Sequence, residues 1–150
     1  MAPAEQRVAS VSVDLDPLGC YYRIHGLGRA PKELADVVLR RAVPRFLELF
    51  ARNGVRATFF VVAADLEGSS DAARAARALV GTISQAGHEL GNHSYTHPYD
   101  LARWEKKRAA HEIGRAHALI GDALGRAPVG FRAPGDDSSA AMLDARARLG

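Results

Sequence analysis

Hydrophobic and polar residues alternate with two different periods along this chain, and the periods predict strands and helices in turn. Residues 8–13 alternate β-branched with other side chains, a pattern that favours a strand. Residues 57–63 form an apolar run that favours a strand buried on both faces. Between them, residues 43–50 have apolar side chains three and four positions apart, with Pro44 near the start and Gly54 just past the end. These features are typical of a helix. The first unit is therefore strand, helix, strand.

The second half of the chain repeats this alternation. Its predicted elements are a helix over residues 72–86, a short strand over 88–91, a long helix over 102–124, a strand over 129–131 and a last helix capped by Ser138 or Ser139. Gly87 and Gly125 stand where a glycine commonly ends a helix. Four consecutive βα units predict an α/β fold with a parallel sheet, in one domain over residues 1–150. Residues 17–31, which contain glycine and proline, are predicted to be a long loop above the site.

Composition and charge exclude several classes of protein. Of the 150 residues, 47% are hydrophobic, enough for one buried core. Twenty Lys and Arg against 17 Asp and Glu give a formal net charge of +3, too small an excess to predict nucleic-acid binding. No stretch reaches about 18 apolar residues, and no basic segment precedes an apolar run near the N-terminus. We therefore expect no membrane span, no signal peptide and a cytoplasmic location. The single Cys20 agrees with a reducing compartment.

Side chains capable of catalysis follow the ends of predicted strands. In a parallel βα sheet, ligands bind at the carboxyl ends of the strands. The candidates at that edge are Asp14 and Asp16 after the first strand, His93 and His97 after the third, and Arg132, Pro134 and Gly135 after the fourth. Two imidazoles and one carboxylate with an open coordination position are typical of a hydrolytic metal site, because the cation lowers the pKa of a bound water to about 7.

The segment Asp14-Leu15-Asp16 also has two other interpretations. An Asp-x-Asp motif occurs in glycosyltransferases, where the carboxylates bind a divalent metal and a nucleotide diphosphate. That interpretation leaves His93 and His97 without a role, since magnesium bound to phosphate seldom uses imidazole. The other interpretation is a solvated turn before Pro17. From these residues alone, all three interpretations stay open.

Three ordered segments resemble the motifs of polysaccharide deacetylases: Ser-Val-Asp-Leu-Asp at 12–16, Gly-Asn-His-Ser-Tyr-Thr-His at 91–97 and Gly-Phe-Arg-Ala-Pro-Gly at 130–135. Residues 56–61 and 86–93 look like the connecting strands, so the resemblance covers nearly the whole chain from residue 8 onward. It implies a distorted parallel (β/α) barrel, incomplete here after about four βα units. The implied activity is metal-dependent removal of acetyl groups from N-acetylated or O-acetylated sugars.

The resemblance implies a role for each candidate residue. Asp14 would be the general base, Asp16, His93 and His97 the metal ligands, Arg132 the residue that orients the base, and Pro134 and Gly135 the loop whose backbone N–H helps to hold the oxyanion. The implied cofactor is one divalent metal, preferably zinc, with cobalt, nickel or iron as alternatives. The implied partner is a small-molecule or oligosaccharide substrate, and the oligomeric state stays open.

The chain departs from the family pattern in ways that widen the range of substrates. The two aspartates are usually adjacent in the family, but here Leu15 separates them. This separation resembles the pattern of cyclic-amide hydrolases and of deformylases of lipid-linked sugars, which have the same fold. Gly135 stands where many carbohydrate enzymes have an aromatic residue, which predicts a reduced surface for stacking on sugars.

The family's general acid is a histidine in later strands, and we expect it beyond residue 150. Within the chain, His111 and His117 are predicted to be structural, His88 should lie on the opposite rim, and His25 could touch substrate from the loop. A fragment that binds metal or sugar without turnover is therefore the alternative to an active hydrolase.

Overall fold

Three short strands pair in parallel, in the order of the sequence. The computed structural model describes residues 8–149. Its strands are β1 (Ser12–Leu15), β2 (Thr58–Val61) and β3 (Glu89–Asn92), in the order β1-β2-β3. Both pairings are parallel, which confirms the predicted α/β class.

Helices connect and cover these strands. They are α1 (Leu18–Ile24), α2 (Val43–Asn53), α3 (Asp71–Gln85), α4 (Lys106–Leu124) and α5 (Ala140–Ala147), with a π-helical turn at Val38–Ala42 before α2 and 3₁₀ turns at Lys32–Leu34, Ala63–Leu66, Leu101–Arg103 and Pro134–Asp136. Gly54 and Gly125 end α2 and α4 in the left-handed conformation, as predicted. Ser139 caps α5 through its side chain. No helix of residues 8–149 combines the length and the apolar content needed to cross a bilayer.

Side chains alternate between the two faces of the sheet, and each face has a different task. Phe59 and Val61 of β2 belong to the main hydrophobic core together with Leu90 of β3 and residues of α2, α3 and α4. On the other face, Asp14 is in register with Phe60, which is in register with Gly91. The polar candidates therefore lie on the face opposite to the packed helices. A second core cluster, centred on Leu101, Ala109, Ile113 and Met142, joins α4 to α5.

Two sequence predictions about local structure were wrong. The expected loop over residues 17–31 contains helix α1, whose Cys20 is buried. The breakers Gly26, Gly28 and Pro31 all come after this helix, so they do not prevent it. β1 begins later than the predicted strand over 8–13, and Asp14 consequently lies within the strand.

The expected fourth strand over residues 129–131 was also wrong in extent. It is reduced to a single parallel bridge between Phe131 and Asn92, with backbone hydrogen bonds to β3 on either side. Pro128 and Pro134 bound this segment, and proline cannot donate to a sheet, so the pairing cannot extend. The short segment still brings Arg132 to the carboxyl end of β3.

Gly91 is required by close packing between β2 and β3. A Cβ at Gly91 would lie 2.6 Å from two ring carbons of Phe60, closer than side chains approach. We expect Gly91→Ala to lower the free energy of unfolding by about 1–3 kcal/mol through overpacking. Gly114, in α4, has no atom within 4 Å of its Cβ position, and Gly114→Ala should stabilise by about 1 kcal/mol because it favours the helix. Urea unfolding of both variants checks this pair, and equal effects would contradict the packing argument.

His88 lies at the opposite rim from the candidate site, as predicted, and should make stability depend on pH. Its Nδ1 accepts a hydrogen bond from the Ala57 N–H at 3.2 Å, so the ring is neutral there, and it packs against Phe50 and Phe59. Burial, and then the positive charge of Arg56, lower the pKa of His88 from 6.5. A depressed histidine pKa stabilises the fold above the unfolded-state pKa, and this stabilisation is lost as pH falls through the folded-state pKa.

The measurement is urea unfolding between pH 7.5 and pH 5, compared with His88→Asn, whose amide oxygen can still accept from Ala57. We expect the wild-type chain to lose more stability below about pH 6.5 than the variant does. Parallel pH profiles would show that another group is responsible.

Candidate metal centre

Asp16, His93 and His97 come together at the carboxyl ends of β1 and β3. Asp16 directly follows β1, and His93 directly follows β3. One ligand atom from each of the three residues lies within 4.8 Å of the others. The side chains are exposed by 13%, 2% and 1% respectively. The structure therefore gathers the three predicted ligands into one largely buried cluster.

The geometry of this cluster fits a divalent cation. The Oδ1 atom of Asp16 lies 3.2 Å from Nε2 of His93 and 3.1 Å from Nε2 of His97. Despite these distances, Asp16 Oδ1 is buried with no hydrogen-bond partner of acceptable geometry. Ligand atoms about 2.0–2.2 Å from a tetrahedral zinc ion stand about 3.3 Å from one another. Three converging donors with an orphaned carboxylate oxygen are what such an ion requires.

A backbone carbonyl fixes the orientation of His93. Its Nδ1 lies 2.8 Å from the carbonyl oxygen of Arg132. A carbonyl oxygen can only accept, so Nδ1 carries the proton and the Nε2 lone pair is directed at the cluster. Orientation of a ligand histidine by an outer partner is the usual arrangement at metal sites. In contrast, Nδ1 of His97 is buried without a partner.

The turn that carries His97 is strained and is held by buried polar side chains. Ser94 and His97 have positive φ values of 67° and 58°, a conformation that costs a non-glycine residue about 1–3 kcal/mol. The Asn92 side chain accepts from the Ser94 N–H at 2.8 Å and donates to the Ile113 carbonyl of α4 at 2.9 Å. Ser94 Oγ in turn accepts from the His97 N–H at 3.0 Å. These hydrogen bonds connect the turn over residues 94–97 to α4.

Glu112 adds a second connection between α4 and the same turn. Its Oε1 accepts from the backbone N–H of Thr96 at 2.5 Å and from the Thr96 hydroxyl at 2.8 Å. Glu112 is buried, so its charge is balanced by donors from the turn. The ligand turn is therefore set by tertiary contacts as well as by its own sequence.

The surroundings of Asp16 and of His97 shift the pKa values of these two residues. Burial alone would raise the pKa of Asp16, but the two imidazoles beside it hold that pKa well below its usual range. Burial opposes protonation of His97, yet the Asp16 carboxylate and the nearby Cys20 thiol raise its pKa to about 9. Asp16 is therefore a carboxylate that attracts positive charge, and either a proton or a metal cation can supply that charge.

Asp14 and Arg132 form an ion pair beside the cluster. Nη1 of Arg132 donates to Asp14 Oδ1 at 2.8 Å, and Nη2 donates to Ser12 Oγ at 2.7 Å. The guanidinium lies 4.3 Å from the centroid of the Phe60 ring. The second carboxylate oxygen of Asp14 is 3.8 Å from His93 Nε2. Asp14 is thus held at the edge of the cluster and is about one third exposed.

Of the other predicted residues, two lie in the turn after Arg132 and three histidines lie in or just after helices. Pro134 is buried in a 3₁₀ turn, and Gly135 follows it in the left-handed conformation beside Tyr99. His111 and His117 lie within α4, and His25 is exposed just after α1.

Sequence reasoning missed the supporting residues of the site. Asn92 lies inside the second motif segment, which was a signal that could have been used, whereas nothing in the local sequence marks Glu112. Tyr99 also contacts the site, with its ring centroid 4.7 Å from that of His97. These residues act through contacts that only the folded chain brings together.

Comparison with known families gives a match over most of the chain. The family described as polysaccharide deacetylase matches residues 34–150. The peptidoglycan deacetylase of Helicobacter pylori is 28% identical over 133 residues, which are 87% of this chain and 43% of that protein. The peptidoglycan-N-acetylglucosamine deacetylase of Bacillus cereus is 29% identical over 91 residues, 61% of this chain and 30% of that protein. The chain thus spans less than half the length of these relatives.

Solved structures show the same fold. The family 4 carbohydrate esterase from Streptomyces lividans, in complex with acetate, superposes with a TM-score of 0.65 at 24% identity, over 95% of this chain and 58% of that chain. A family 4 pseudoenzyme from Bacillus anthracis has a TM-score of 0.66 at 18% identity, over 93% of this chain and 40% of that chain. The same architecture therefore occurs in an esterase and in a protein described as a pseudoenzyme.

Proposed function

Because the chain belongs to the polysaccharide deacetylase family, we propose that it carries the metal-binding and base-bearing part of a hydrolase that removes acetyl groups from N-acetylated sugars. One observation carries this proposal. A carboxylate held by an arginine, Asp14, lies beside three converging ligand atoms, with Asp14 Oδ2 3.8 Å from His93 Nε2. A base next to a cation site is what hydrolysis of an unactivated amide needs.

The ligands of the proposed site are Asp16, His93 and His97. Imidazole nitrogen together with carboxylate oxygen suits zinc, and cobalt, nickel and iron accept the same donors. When bound, such a cation acts as a Lewis acid and lowers the pKa of water in its open position to about 7. The glycosyltransferase alternative gives no role to the two histidines, and family membership does not support it.

The residues of this chain divide the remaining work between them. Asp14 takes the proton from the attacking water, while the hydrogen bond from Arg132 holds the carboxylate in position. Water oxygen bonds to the acetyl carbon, and the carbon–nitrogen bond then breaks to give acetate and an amine. The backbone N–H of Gly135, after Pro134, is the proposed donor to the oxyanion, since this segment resembles the family's oxyanion loop.

The departing amine must receive a proton, and His88, His111 and His117 lie outside the cluster. His88 is at the opposite rim, and His111 and His117 are in α4. Positioned proton transfer typically contributes about 100- to 10,000-fold in rate. We therefore expect the 150 residues alone to cleave N-acetyl groups very slowly, even with the metal bound.

Two substrates separate hydrolytic competence from general-acid catalysis. An activated aryl acetate releases its phenolate without needing a proton, whereas an N-acetylglucosamine tetramer does not release its amine that way. With zinc, we expect the chain to hydrolyse the aryl acetate readily and the tetramer at a rate lower by at least about 100-fold. Acetate release is measured for both, with chelator-treated protein as the control.

The outcomes distinguish the functions under consideration. Aryl acetate hydrolysis that is unchanged by the chelator would contradict metal dependence. Hydrolysis no faster than in the protein-free control would support a non-catalytic binding fragment. Fast release from the tetramer would mean that the acid lies within this chain, and His25 would be the first residue to replace. An N-formyl sugar and a cyclic amide are assayed in parallel, because the separation of the two aspartates by one residue resembles that in hydrolases of such amides.

A further inference from the structure

Tyr99 occupies the space beside Gly135. A Cβ built on Gly135 would lie 3.3 Å from Cδ1 of the Tyr99 ring, tighter than ordinary van der Waals contact. Gly135 has φ of 73°, a conformation that side chains rarely adopt. Position 135 therefore cannot easily present a side chain of its own, and the aromatic ring at this point of the rim comes from Tyr99.

This ring packs against His97 of the candidate metal centre and is also open to solvent. The Tyr99 and His97 ring centroids are 4.7 Å apart with an interplanar angle of 81°, an edge-on contact. Tyr99 nevertheless remains 37% exposed. Since His97 is almost fully buried, Tyr99 forms the accessible surface next to it.

We propose that Tyr99 is a substrate-contacting residue whose ring stacks on the sugar that bears the acetyl group. A pyranose ring has an apolar C–H face and a polar rim, and tyrosine likewise combines an apolar ring with a polar hydroxyl. The contact with His97 links the position of the bound sugar to the metal centre. This inference rests on the proposed function, and it differs from the expectation that Gly135 reduces the surface for stacking on sugars.

The test measures binding of an N-acetylglucosamine tetramer to the zinc-loaded 150-residue chain by isothermal titration calorimetry. We expect Tyr99→Leu to raise the dissociation constant by about 3- to 10-fold, because an aromatic contact is lost. Tyr99→Phe, which keeps the ring, should remain within about 2-fold of wild type. Zinc affinity and the thermal midpoint should be the same in all three proteins, which a purely structural role for Tyr99 would not allow.

Each outcome bears on a different claim. Equal dissociation constants for wild type and Tyr99→Leu would overturn the role of Tyr99 and leave the proposed function intact. Loss of zinc affinity in Tyr99→Leu would show that the residue only supports His97. Absence of tetramer binding by the zinc-loaded wild-type chain would overturn both this role and the proposed substrate class.

Discussion

Asp14→Asn should abolish nearly all turnover of an activated aryl acetate while leaving zinc binding unchanged. The substitution keeps the size of the side chain and removes its ability to take a proton from water. A general base typically contributes about 100- to 10,000-fold, so the rate should fall by that factor. Asp14 is not among the three converging ligands, and zinc affinity should therefore stay within about 2-fold.

The matched control for this prediction is Asp122→Asn, which removes one carboxylate from the exposed surface of α4. Its rate should equal that of wild type, because the net charge changes equally but the site does not. Arg132→Lys adds a second check, since Lys keeps the charge but cannot donate to Asp14 and Ser12 at once as Arg132 does. If Asp14→Asn loses zinc together with activity, the roles of the two aspartates must be exchanged.

His97→Ala should remove most of the zinc affinity of the chain. Wild-type protein, stripped with a chelator and reloaded, should contain close to one equivalent of zinc by elemental analysis. Replacing an outer partner of a metal ligand typically costs about 10- to 100-fold in affinity, and loss of a ligand should cost more. His93→Ala should behave in the same way, because both Nε2 atoms face Asp16 Oδ1.

His111→Ala is the matched control for the zinc measurement. His111 is exposed on α4, so its removal takes away one imidazole without touching the cluster. Its zinc content should equal that of wild type. Unchanged zinc affinity in both His93→Ala and His97→Ala would exclude the site, whereas an equal loss in His111→Ala would indicate nonspecific binding.

The order of elements could be predicted from the sequence because its signals are local. Apolar period, proline near a helix start and glycine after a helix end lie within a few residues of the element that they define. The predicted ends at Gly54 and Gly125 were confirmed for that reason. The prediction of a loop where α1 lies was wrong. It was based on the glycines and prolines of that segment, whereas burial of Cys20 depends on packing against other parts of the chain.

The convergence of the candidate residues could also be predicted, because strand geometry converts spacing in the sequence into position in the fold. Side chains two apart on a strand share a face, so Asp14 and Asp16 point to the same side although Leu15 separates them. The carboxyl ends of parallel strands meet at one edge, which brings His93 and His97 to Asp16. The rules of the fold class were sufficient to predict that these four residues lie near one another, but not which role each has.

Only the tertiary structure decided how these residues are held and what surrounds them. Arg132 and Asp14 are 118 positions apart in the sequence, and their association was expected from the family resemblance, whereas no local pattern indicates the hydrogen bonds that hold them. The same holds for Glu112, which supports the His97 turn from α4, and for Tyr99, whose ring fills the space beside Gly135. Sequence spacing acts within one element, whereas a side chain's partner across elements depends on packing, and packing exists only once the chain has folded.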